Sequence, residues 1–83
     1  MAIFSSQINV TTTATLLLAD SIQAEEVHIH ATNTIYVGGS DVTTSNGLKL
    51  DNGDKITFNL HNGSLYAVTA TGTATTHVLV IEK

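Results

Sequence analysis

The chain contains no cysteine, no proline and no arginine. Without cysteine it can form neither a disulfide nor a thiolate zinc site. Without arginine, and with only Lys49, Lys55 and Lys83 set against seven acidic residues, it carries a net charge of −4. A phosphate backbone finds almost nothing to bind on such a surface, so nucleic acid is not an expected partner. Long apolar runs are missing too. Ala14 to Ala19, interrupted by Thr15, is far too short to span a bilayer, so no membrane association is expected. Met1 to Ser6 has no basic residue and no continuous apolar region after it, which argues against a secretory signal.

What is present is strand chemistry. Thr, Val, Ile, Leu, Ala, Asn and Gly dominate, with 42% hydrophobic and 12% charged residues, so the chain lacks the charge-rich, apolar-poor signature of disorder. Eighty-three residues make a single domain spanning 1–83. A domain of about this size buries only about 60% of its unfolded surface and benefits from some supplement to its core. With disulfides and thiolate metal sites excluded, a partner subunit is the leading candidate, and the low charge suits a protein covered by neighbours.

In the absence of proline, punctuation falls to Gly and Asn. Asn46-Gly47, Asn52-Gly53 and Asn62-Gly63 each offer two residues suited to a tight turn between antiparallel strands, and Gly38-Gly39 and Thr71-Gly72-Thr73 add two breaks. Between the breaks, alternation assigns faces. Ile56, Phe58 and Leu60 oppose Lys55, Thr57 and Asn59; Val27, Ile29 and Ala31 point inward with His28 and His30 outward; Ile35 and Val37 oppose Tyr36; Leu65 and Ala67 oppose Tyr66 and Val68. Ala74 to Ile81 carries apolar residues on both faces, Val78 and Val80 against Leu79 and Ile81, as does Thr13 to Ala19 with three consecutive leucines. A strand of that kind is either central or covered by another chain. Ala19 to Glu26 reads as a loop with one helical turn. The pattern predicts an all-β fold, a small antiparallel β-sandwich or jelly-roll-like barrel.

Catalytic chemistry is sparse. His28 and His30 lie two apart on a predicted strand, both on one face, but two ligands are an incomplete metal set. His61 reads as a turn residue, and His77 as a buried or interface ring with a hydrogen-bond partner. Asp51-Asn52-Gly53-Asp54 lacks the ligand spacing of a calcium loop and is explained by a hairpin turn. No nucleophile elbow is present, and Gly38-Gly39-Ser40 lacks the lysine and helix of a phosphate loop. Glu25, Glu26 and Asp41 cannot be placed as a carboxylate pair from sequence. Tyr36 and Tyr66 are candidates to stack on a sugar or anchor an interface. The expectation is a non-enzymatic protein with no cofactor and no metal.

The segment Asn33-Thr34-Ile35-Tyr36-Val37-Gly38-Gly39-Ser40-Asp41-Val42-Thr43-Thr44-Ser45-Asn46-Gly47, followed by Leu48-Lys49-Leu50, Gly53-Asp54, Leu65-Tyr66-Ala67 and Gly72-Thr73-Ala74, resembles short tailed-phage virion proteins of the head decoration, minor capsid or head-fibre kind. Similar segments are found in tail and fibre components. The resemblance implies a virion structural protein on the capsid surface, made in the host cytoplasm, whose partners are the major capsid protein lattice and its own copies in a homotrimer. Val78, Leu79, Val80 and Ile81 are the expected interface residues. The alternative is a receptor- or carbohydrate-binding module of a tail or fibre, using Tyr36, Tyr66 and the Asn-rich loops. A third reading is a small metal-dependent enzyme on a cupin-like barrel with His28 and His30 as ligands.

Overall fold

The structure, a computed structural model, describes residues 3–19, 24–59 and 64–82. Eight strands run through them: β1 (Ile3–Val10), β2 (Thr15–Leu18), β3 (Ala24–Ala31), β4 (Ile35–Gly38), β5 (Leu48–Leu50), β6 (Lys55–Phe58), β7 (Leu65–Val68) and β8 (Ala74–Glu82). They pair antiparallel as one long hairpin folded back on itself, β4 with β5, β3 with β6, β2 with β7 and β1 with β8. Rolling this nested ladder sends alternate pairs to opposite layers. The result is two four-stranded sheets, β1-β8-β3-β6 and β2-β7-β4-β5, closed by the further pairings β3·β8 and β4·β7. That strand order is the eight-stranded jelly roll, so the expected all-β sandwich is present in its jelly-roll form.

The core lies between the sheets and follows the alternation. Val27, Ile29 and Ala31 of β3 and Ala74, Val78 and Val80 of β8 meet Ile35, Val37, Leu50 and Ala67 from the opposite layer. The leucine run is explained by a β-bulge. Leu16 pairs with Tyr66 and Leu18 with Leu65, leaving Leu17 as an extra residue, so Leu17 and Leu18 both turn inward while Leu16 stays exposed. The predicted loop with one helical turn over Ala19 to Glu26 gives way to strand from Ala24 onward, held by pairing with β8; residues 20–23 of that stretch lie outside the described residues.

The turn chemistry differs from a simple series of hairpins. Asn52-Gly53 does bend the chain tightly, with Gly53 at φ 88°, but it carries the chain from β5 in one sheet to β6 in the other. Asp54 fastens it, its Oδ2 accepting the Asp51 N–H at 2.8 Å, and the Gly53 N–H reaches the Ala31 carbonyl at 2.8 Å. Asn62-Gly63 lies outside the described residues. Threonines do similar work elsewhere. The Thr69 hydroxyl donates to the Thr34 carbonyl at 3.0 Å, the Thr69 N–H to the Thr11 carbonyl at 3.0 Å, and the Thr15 hydroxyl to the Thr13 carbonyl at 2.9 Å. Threonine enrichment thus supplies partners for backbone groups that the crossovers leave out of the ladders.

Asn46-Gly47 is a third kind of turn. The connection from β4 to β5 folds back over the outer face of its sheet, with the Asn46 side chain accepting the Thr43 N–H at 2.8 Å. Val42 and Val68 are buried there, outside the main core.

One core position is chemically mismatched. Thr76 is fully buried opposite Ile8 and Ala31, and its hydroxyl finds no hydrogen-bond partner among the described residues. Thr76→Val removes the orphaned hydroxyl without orphaning anything else. It is expected to raise the unfolding free energy by about 1–2 kcal/mol, read as a higher urea midpoint at unchanged slope.

Candidate functional site: a histidine-lined groove

The outer face of the sheet β1-β8-β3-β6 gathers the side chains that could carry chemistry. Period-2 alternation turns His28 and His30 away from the core on β3, and the antiparallel registers then decide their neighbours. His30 lies opposite His77 of β8 and Lys55 of β6, and His77 in turn opposite Gln7 of β1. A second row runs Ser5, Leu79, His28 and Thr57. Together the two rows line an open groove of about 550 Å³ across all four strands.

The three imidazoles are not equivalent. His28 is held at both nitrogens, with Nδ1 2.8 Å from the Thr57 hydroxyl and Nε2 3.2 Å from a Glu26 carboxylate oxygen. When Nε2–H donates to Glu26, Nδ1 accepts the hydroxyl hydrogen of Thr57. His30 and His77 face one another instead, ring centroids 5.6 Å apart and planes tilted by 30°. The spacing that suggested a His28–His30 ligand pair is therefore split between two environments. Among the described residues, no group of three or more His, Cys, Asp or Glu side chains is arranged to hold a metal ion.

The expected interface residues also divide. Val78 and Val80 are each 4% exposed and belong to the chain's own core, so their side chains are not available to a second subunit. Leu79, 36% exposed, and the half-buried Ile81 turn outward, and Ile81 pairs with Ile3, itself 64% exposed. Strand β8 is central in its sheet, between β1 and β3, which accounts for half of its two-sided apolar pattern and, among the described residues, leaves the outer half partly exposed. Tyr36 and Tyr66 are half-buried on the outer face of the other sheet, away from the groove. His77, expected as a buried or interface ring, is half-buried in the groove. Its juxtaposition with His30 had no sequence signal short of knowing that β8 pairs with β3. His61 lies outside the described residues.

No protein-family model matches the chain, and no curated protein matches it in sequence. Its jelly roll is similar to a solved structure, the stem and receptor-binding domain of the spike protein P1 from bacteriophage PM2, with a TM-score of 0.70 at 22% identity. The likeness covers 87% of this chain and 30% of that one, so this chain spans about a third of the length of the spike fragment it matches. At that identity the similarity establishes the fold.

Proposed function

We propose that this chain is a non-enzymatic structural protein of a bacteriophage particle and serves there as a receptor-binding module. The observation that carries the reading is the match of nearly the whole chain to part of a phage spike's stem and receptor-binding domain. The groove supports it, because it is open, sets histidines, Lys55 and hydroxyl side chains around the apolar Leu79, and is built on strands, as a recognition surface should be. The test has two parts. Mass spectrometry of purified particles of the phage that carries the gene should find the chain, and the fluorescently labelled protein should stain host cells and slow adsorption of the intact phage. Absence from purified particles overturns the reading.

A capsid decoration role is the second reading, favoured by the uncovered apolar strip of Ile3, Leu79 and Ile81 beside the free edge of β1. Such a strip is suited to burial against another copy or against the shell. Under this reading the protein is a trimer in native mass measurements, Leu79→Asp yields monomers, and the protein co-sediments with assembled shells in molar salt. A monomer that ignores shells excludes it.

A further inference from the structure

Over the chain as a whole acidic residues outnumber lysines seven to three, yet the groove inverts that balance. It holds three of the four histidines and Lys55, while Glu26 is the one acidic side chain among the described residues that the geometry ties to its lining, through His28. No titratable group comes from β1, which contributes Ser5 and Gln7; β8 contributes His77; β6 contributes Lys55; β3 contributes Glu26, His28 and His30. The Asp54 carboxylate, at the start of β6, is committed to its own turn. Histidine side chains take up protons between about pH 8 and pH 5. Two imidazoles placed 5.6 Å apart repel when both are charged, unless an anion lies between or beside them. Lys55 next to His30 adds to that demand and makes a cation the wrong occupant.

We propose that the groove binds an acidic glycan, whose carboxylates lie against Lys55, His30 and His77 and whose hydroxyls bond to Gln7, Ser5 and Thr57. His77, His30 and Lys55 follow one another along one row, with neutral hydrogen-bonding side chains at its β1 end and in the next row (Gln7, Ser5, Thr57) beside Leu79, and that mixture fits a polymer that carries both carboxylates and hydroxyls. Four strands at sheet spacing give a trough roughly 14 Å across, long enough for a short oligosaccharide rather than a single anion. The assignment rests on the receptor-binding reading for its biological sense but not for its chemistry. Binding tightens as pH falls, since the groove becomes more cationic, and weakens with salt.

The experiment is isothermal titration of the full chain with oligogalacturonate, with a neutral oligosaccharide (maltohexaose) and with inorganic phosphate, at pH 5.5 and pH 7.5. The expected result is oligogalacturonate binding at least tenfold tighter at pH 5.5, no measurable maltohexaose binding, and at least tenfold weaker binding by Lys55→Glu, whose site is an exposed edge-strand position. Histidine ring proton NMR signals checked in the same samples should move for His30 and His77 on binding. Equal affinity at the two pH values, binding of maltohexaose, or binding of phosphate alone would each overturn the proposal. If the chain is found in particles and stains cells but ignores oligogalacturonate, the inference fails and the receptor reading stands; if it binds oligogalacturonate but is absent from particles, the reverse holds.

Discussion

Ile29→Ala is expected to lower the unfolding free energy by about 2–5 kcal/mol, the usual loss for a large-to-small change at a site that cannot collapse. Ile29 is 1% exposed, sits in the middle of β3 and is flanked by both neighbouring strands, pairing with Ile56 and Val78. For a chain of this length the total stability is about 4–12 kcal/mol, so the variant is expected to lose a large share of it. His30→Ala, one residue away on the outer face, should cost less than about 1 kcal/mol. Urea unfolding of both variants at one fixed protein concentration makes the comparison, since any self-association would add a concentration-dependent term. Similar losses from the two would mean that β3 presents its faces the other way round.

Gly47→Ala should be the most damaging single-methyl addition, at about 1–3 kcal/mol. A Cβ placed there would stand 2.7 Å from Tyr36 Cβ, 2.8 Å from Val42 Cγ2 and 3.1 Å from the Thr43 carbonyl oxygen. None of these is the far end of a flexible side chain. The β4–β5 connection would have to lift off the sheet, exposing Val42. Gly39→Ala in the same connection is the control, because its Cβ would meet only Asp41 Oδ1, at an ordinary 3.5 Å. Thermal unfolding should show a clear drop in Tm for the first and little change for the second; equal effects would mean that the connection does not close over the sheet as described.

These two positions also show what was readable beforehand. Ile29 was legible because period-2 alternation is a local property of a half-buried strand, and Val27 to Ala31 displays it in five residues. Asn46-Gly47 has the chemistry of a tight turn between antiparallel strands, but Gly47 does not take a positive φ, and what it supplies is the absence of a side chain under Val42. Asn52-Gly53 was legible as a turn and illegible as a crossover, because a tight turn does not reveal which sheet the next strand joins. The groove lay between these cases. Its histidines were visible on β3, while the partner of His30 comes from β8, 47 positions along the chain, and only the register brings the two together.

The nested pairing of the strands has a kinetic side. Closing β1 on β8 directly, Val10 against Ala74, demands a loop of about three quarters of the chain, and closure grows costlier by about 0.6 kcal/mol with each doubling of loop length. Starting from β4 and β5 avoids this. Once Ile35 meets Leu50, only the short segments leading to His30 and Lys55 remain open before the next rung, and the same holds for each pair further out. The jelly roll therefore has a route in which no step closes a long loop, and the ladder between β1 and β8 is its last rung to form. In that order the groove is among the latest parts of the molecule to exist, because the row Gln7, His77, His30 and Lys55 is complete only when the outermost strand zips into place.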